Sequence, residues 1–171
     1  RAREQVLQLV QRISYDQEQA IKETRQLLIT LAQLPAVLER DAEACSRILN
    51  GISRQHVRYA NLGAIRPDGL VFCSALPSTV RPNARDSDWF RKALRTRNFS
   101  VSHFHFGGIS GRPVLTMGYP AITGGEVTAV AFASLDLAWL SRYLSESSLL
   151  PPGSVLAVMD RRGTLLARYP D

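Results

Sequence analysis

After His56, glycine and proline punctuation cuts the chain into apolar runs of β-strand length, and that rhythm leaves few folds open. Pro67-Asp68-Gly69 separates a run over 57–66 from one over 70–76. The proline presets φ and the glycine accepts positive φ, so the two runs are expected to form a hairpin. Three more strand candidates follow at 99–106, 114–119 and 127–135, connected through Gly107, Gly108 and Gly111 and then through Gly124-Gly125. Between hairpin and meander, Asp86-Ser87-Asp88 offers helix-starting side chains ahead of Trp89, Phe90, Ala93 and Leu94 at helical spacing. Short consecutive antiparallel strands around one helix predict an α+β fold rather than a parallel α/β one. A short closing helix is expected over 136–144, with Pro151-Pro152-Gly153 as a break.

The segment before His56 reads differently. Val6, Val10, Ile13, Gln17, Ala20, Thr24, Leu27, Leu31 and Leu34 recur at steps of four and three and form one stripe, imperfect at Gln17 and Thr24. A helix of about 34 residues is roughly 50 Å long. A domain of this size does not cover that length, so part of the helix is expected to pack against a second copy or run toward a membrane. Pro35 ends or bends it, and a second helix is expected from an Asp41 N-cap to about Ile52. After the proline break, 155–159, Asp160-Arg161-Arg162-Gly163 and 164–168 repeat the strand, turn, strand plan of 64–74. A lone two-stranded hairpin is marginal in water, so this piece either packs on the first domain or opens a second.

Charge and composition narrow the function. Most of the net charge of +6 resides in residues 56–100, which carry 8 basic and 3 acidic groups. Nineteen of the 21 cations are arginines scattered singly, without the basic runs and interleaved aromatics of a nucleic-acid face, so no nucleic-acid partner is expected. No stretch approaches the roughly 18 apolar residues of a membrane span, and the N-terminus lacks a signal-peptide pattern. If the parent protein is membrane-anchored, its spans are expected outside this sequence.

No catalytic constellation is visible: there is no phosphate loop, GxSxG elbow or HExxH, and only three histidines. His103 and His105 share a strand face without a third metal ligand, and Phe104 and Phe106 on the opposite face are expected in the core. Neither catalytic residues, metal nor cofactor is therefore expected. Cys45 and Cys73 fit no zinc or CxxC spacing; they pair in an oxidising compartment or serve as two small buried hydrophobes.

Tyr59-Ala-Asn-Leu-Gly-Ala-Ile, Pro67-Asp-Gly, Val71-Phe-Cys-Ser, Asp86-Ser-Asp-Trp-Phe-Arg-Lys-Ala-Leu, Gly111-Arg-Pro-Val-Leu, Tyr119-Pro and Ala133-Ser-Leu-Asp-Leu-Ala-Trp-Leu together resemble, in this order, the double Cache (PDC, PAS-like) sensor domains of bacterial transmembrane receptors. The resemblance implies a long N-terminal helix followed by a PAS-like five-stranded antiparallel sheet with flanking helices. It divides the chain into a helical stalk at 1–55, a membrane-distal module at 56–150 and the opening hairpin of a membrane-proximal module at 151–171. It also implies a periplasmic location, which favours a Cys45–Cys73 disulfide.

In relatives that bind amino acids, an Arg stands two before a Trp, an aromatic follows it, a Tyr lies on the next strand and an Asp ends the last strand. Here the Trp is Trp89 and the aromatic Phe90, but the other positions hold Ser87, Phe104 or a near neighbour, and Ser134. The clamps for α-carboxylate and α-ammonium are absent. The expected ligand site then comprises Trp89, Phe90, Ser87, Arg85, Phe104, Thr116 and Ser134, with Arg81 nearby. The local arginine excess suggests an anionic organic ligand. The expected role is extracytoplasmic small-molecule sensing, reported through the N-terminal helix of a homodimer to a kinase, cyclic-dinucleotide enzyme or chemotaxis output. The alternative is a ligand-less dimerisation and spacer module.

Overall fold

The computed structural model describes residues 1–146, 152–153, 155–159 and 162–169. Helix α1 covers Ala2–Leu31, about 45 Å of helix at 1.5 Å per residue. It stops short of Pro35, which instead occupies the first turn of α2, Pro35–Leu38, where a missing N–H costs nothing. Helix α3, Ala42–Ser53, starts as the sequence predicts, with Asp41 Oδ1 accepting from the Ala44 N–H at 3.0 Å.

Strands β1, Tyr59–Ile65, and β2, Val71–Ser74, form the expected hairpin. Its turn glycine, Gly69, has φ +94°, which a side chain would strain. Helix α4, Asp88–Thr96, is followed by β3, Ser100–Val101, and β4, His105–Phe106. The long strands β5, Pro113–Thr123, and β6, Glu126–Asp136, precede α5, Leu137–Glu146. All neighbours pair antiparallel in the order β2-β1-β6-β5-β3, with β4 also on β5. The last of the five positions is thus shared by two fragments, giving an α+β fold around a five-position antiparallel sheet. A separate hairpin, β7 Leu156–Met159 and β8 Leu165–Tyr169, runs beside α5. The expected turn residues Asp160 and Arg161 lie outside the described residues.

The expected single strand over 99–106 is broken at 102–104. Ser102 explains the interruption: its Oγ accepts from the Thr116 N–H at 2.8 Å, in place of a strand carbonyl. The break also overturns the expectation that Phe104 and Phe106 join the core. Phe106 is 65% exposed, and the two rings meet edge to face at 5.4 Å.

Both faces of the sheet are covered. On one face, Leu62, Ala64, Ala131, Ala133 and Met117 pack beneath α1, α2 and α3. Alanines opposite the helices let the backbones approach, while Leu28, Leu31 and Leu49 supply the volume. The part of the α1 stripe beyond Ala20 is accordingly absorbed by this chain's own sheet: Thr24 and Leu31 are buried, Leu27 packs alongside, and Leu28, outside the expected stripe, is buried with them. Cys45 of α3 and Cys73 of β2 are disulfide-bonded in the structure across this layer, with Cα atoms 5.9 Å apart. On the other face, Ile65, Val130 and Phe132 meet Trp89, Phe90 and Ala93 of α4. Burial of Phe90 there is worth about 1.5–3 kcal/mol.

Candidate functional site

Alternation along each strand brings polar side chains into one row on the α4 face. Asn61, Ser134 and Thr116 are direct register partners on β1, β6 and β5. All three are buried, so each needs a partner. The Asn61 amide oxygen accepts from the backbone N–H groups of Leu62 and Leu76 at 3.0 and 3.1 Å. Thr116 Oγ1 and Ser134 Oγ lie 3.0 Å apart, and His105 Nε2 reaches Thr116 Oγ1 at 2.8 Å. The other ring nitrogen faces the Phe106 carbonyl at 3.2 Å. A carbonyl only accepts, so the hydrogen is assigned to Nδ1, and a neutral ring then accepts at Nε2 from the threonine hydroxyl. Thr116 in turn accepts from Ser134. Burial lowers the His105 pKa below the ordinary histidine value, which favours this neutral ring.

Above the row sits a cavity of about 220 Å³. Its floor is the sheet, with Phe132 beside Ser134 and Thr116. One wall is the start of α4. Ser87 occupies the N-cap position without making a side-chain cap bond, and Trp89 lies over β5. Gly118 makes that seat possible, because a Cβ there would stand 2.7 Å from Trp89 Cζ3. Ser100 Oγ fixes the helix to β3 by donating to the Trp89 carbonyl at 2.7 Å. The opposite wall is the segment at Pro82 and Asn83, held to the first hairpin by Val71 N–H to the Pro82 carbonyl at 3.1 Å and Ala84 N–H to the Gly69 carbonyl at 2.8 Å. Gly107 to Ser110 close the rim.

Ser87, Trp89, Thr116 and Ser134 therefore meet around one cavity. The other expected site residues lie elsewhere. Phe90 is 1% exposed and turns into the core. Arg81 and Arg85 are exposed and line no wall; Arg85 is instead engaged by its backbone, to Asn83 and Arg91. Phe104 faces a larger hollow of about 1010 Å³ between α1, β3 and α5, which shares Ser87, Trp89 and His105 with the smaller cavity. Both hollows are about half open; the larger mixes Asp16 and Glu23 with Arg58 and Lys92, whereas the smaller one is built on the sheet's buried polar row. Three of the eight cations of residues 56–100 are held in ion pairs: Arg58 pairs with Glu23, Arg66 with Asp68 and Arg91 with Asp86, at 2.6, 2.6 and 2.9 Å.

Asn61 and His105 were not among the expected site residues. A lone amide inside the apolar run Tyr59–Ile65 was the available signal for Asn61. Asp136, two residues beyond Ser134, is also buried. Its carboxylate accepts from the N–H groups of Ala138 and Trp139 at the start of α5 and pairs with Arg112 at 3.1 Å. Among the described residues no helix is long and apolar enough to cross a membrane.

This architecture recurs in solved sensor domains. The ligand-binding domain of the Campylobacter jejuni chemoreceptor Tlp3, in complex with 4-methylisoleucine, superposes with a TM-score of 0.72 at 19% identity, over 95% of this chain and 66% of that one. For the sensor domain of the Vibrio cholerae histidine kinase DctB the values are 0.71, 18%, 93% and 63%. For the ligand-binding domain of the Pseudomonas aeruginosa amino-acid chemoreceptor PctC, in complex with GABA, they are 0.65, 21%, 93% and 70%. The chain thus spans about two thirds of the length of these structures. No curated protein matches it. A family profile described as Cache domain matches residues 1–171, the whole chain, and the chain belongs to the Cache domain family.

Proposed function

We propose that this chain is the extracytoplasmic small-molecule-sensing region of a bacterial signal-transduction receptor, and that it binds its ligand without transforming it. The observation that carries the reading is the cavity of about 220 Å³ between the buried Asn61–Ser134–Thr116 row and Trp89. An apolar hollow with a few convergent polar groups is the usual form of a small-ligand site. Structural relatives include ligand-bound chemoreceptor domains and a kinase sensor domain, which favours a receptor as the parent protein. The Cys45–Cys73 pair favours an oxidising compartment such as the periplasm.

In this reading residues 1–55 are the stalk, 56–150 the ligand-binding module and 151–171 the opening of a second, membrane-proximal module. Helix α1 carries the signal, since Thr24 and Arg58–Glu23 tie it to the start of β1. Leu7, Tyr15 and Ile21 are exposed along α1 and supply the surface through which a second copy joins in a homodimer. Ligand binding biases two arrangements of the module by its differential affinity for them.

A thermal-shift screen with amino acids, organic acids, amines, purines and uncharged metabolites tests the binding function. A ligand raises the melting temperature as its concentration exceeds its dissociation constant. The expected result is a saturable increase in the wild type that is lost in Ser134→Phe, which fills the cavity. If nothing shifts the wild type while Leu7→Asp or Ile21→Asp dissociates a dimer, the ligand-less spacer module becomes the better account.

A further inference from the structure

The wall of the cavity is uncharged. Among the described residues no Asp, Glu, Lys or Arg lines it; its polar groups are the amides of Asn61 and Asn83, the hydroxyls of Ser87, Ser110, Thr116 and Ser134, and the His105 ring. The nearby charges are committed elsewhere. Asp136 is buried against Arg112 and the first N–H groups of α5, and neither partner of that pair lines the cavity. Arg81 and Arg85 are exposed and also lie outside the wall. His105 adds no cation near neutral pH, because burial disfavours its charged form. An ionic ligand seated on the buried polar row would lose part of its hydration and gain no counter-charge from the wall, an unfavourable exchange where dipoles alone receive it.

Size sets a second bound. An apolar cavity of about 150 Å³ holds benzene, so one of about 220 Å³ suits a somewhat larger molecule. The apolar side is planar on Trp89 and Phe132 and branched on Ile65 and Val71, and the polar side is the hydroxyl pair of Thr116 and Ser134.

We propose that the cavity takes an uncharged ligand of roughly ten non-hydrogen atoms, with an apolar ring or branched body and one amide or hydroxyl end whose N–H or O–H donates to the oxygens of Ser134 and Thr116, both of whose own hydrogens are already engaged. The proposal rests on the reading of this cavity as the ligand site. It replaces the anionic ligand suggested by the local arginine excess, since those arginines do not reach the wall. It also separates this chain from zwitterion-binding relatives, whose clamping positions hold Ser87 and Ser134 here.

Benzamide, benzoate and benzamidine share one shape and differ in charge, so calorimetric titration of the three against this chain tests the inference directly. Benzamide is expected to bind at least about tenfold tighter than either ion. Its binding should disappear in Ser134→Leu and weaken severalfold in Thr116→Val, which keeps the side chain's shape and removes its hydroxyl, with folding of each variant checked by its urea midpoint. Tighter binding of benzoate or benzamidine, lost in Ser134→Leu, overturns the uncharged-ligand inference and leaves the cavity as the site. If none of the three binds, or if binding is indifferent to both substitutions, the inference and the assignment of the cavity both fall.

Discussion

The Nε2 atom of His105 lies 2.8 Å from Oγ1 of Thr116, which joins a fragmentary edge strand to the polar row of the sheet centre. Because burial depresses the His105 pKa, the folded state disfavours the imidazolium relative to the unfolded chain, whose histidine titrates near 6.5. The unfolded state then binds more protons, so stability falls as pH is lowered. The contribution is fully present above the unfolded value and is lost as pH falls through the folded one. Urea midpoints measured from about pH 8 to about pH 5 should decline more steeply for the wild type than for His105→Gln. Parallel curves contradict the assignment.

Thr24 Oγ1 is 2.6 Å from Tyr59 Oη, and both groups are buried. The threonine hydroxyl gives its hydrogen to the Ala20 carbonyl at 2.7 Å, so it accepts from tyrosine. Thr24→Val strands a buried phenol and should cost about 1–3 kcal/mol. In the Tyr59→Phe background the same change should cost clearly less, with a coupling of about 1 kcal/mol in a double-mutant cycle. Additive effects contradict a bond that ties α1 to the sheet.

Gly118→Ala places a methyl group 2.7 Å from the Trp89 ring. Neither the interior strand β5 nor the packed helix yields cheaply, so a loss of about 1–3 kcal/mol is expected. Trp89 fluorescence should change with it, because the ring must leave its seat. An unchanged spectrum and midpoint contradict the packing described.

The Cys45–Cys73 bond closes a loop with a sequence separation of 28. In the chain-entropy account such a closure contributes about 3.5 kcal/mol by restricting the unfolded chain. Reduction, or Cys45→Ala with Cys73→Ala, should lower unfolding stability by about that amount in urea melts. A difference under about 0.5 kcal/mol contradicts a formed disulfide.

Local signals in the sequence located most elements. Asp41 caps α3, Pro35 separates two helices, and Gly69 takes the positive φ that its hairpin requires. Failures arose where a side chain competes with the backbone or where tertiary packing decides. Ser102 breaks the edge strand by capturing the Thr116 N–H, which periodicity does not encode. Thr24 looked like a flaw in an apolar stripe and is a buried bonding partner of Tyr59, 35 residues away. At the cavity, Trp89, Ser87 and Ser134 came from the resemblance to Cache sensor domains, whose motif positions they fill, and the structure brings them around one hollow with Thr116. Phe90, the immediate neighbour of Trp89, points the other way by helical geometry, into the core. The arginine excess does not become a charged wall, because composition records charge without its place: Arg58, Arg66 and Arg91 are each paired, and Arg81 and Arg85 do not line the cavity.

The central claim is that a small molecule enters the hollow between Trp89 and the Ser134–Thr116 pair. Trp139 stacks on Tyr143, an arrangement that phenylalanine can preserve, so Trp139→Phe leaves Trp89 as the single indole of the chain. Titration of that variant with any compound that raises the melting temperature should shift the Trp89 emission saturably, at the same midpoint as the thermal effect. Stabilising compounds that leave the Trp89 emission unchanged would bind elsewhere, and the site described here would be wrong.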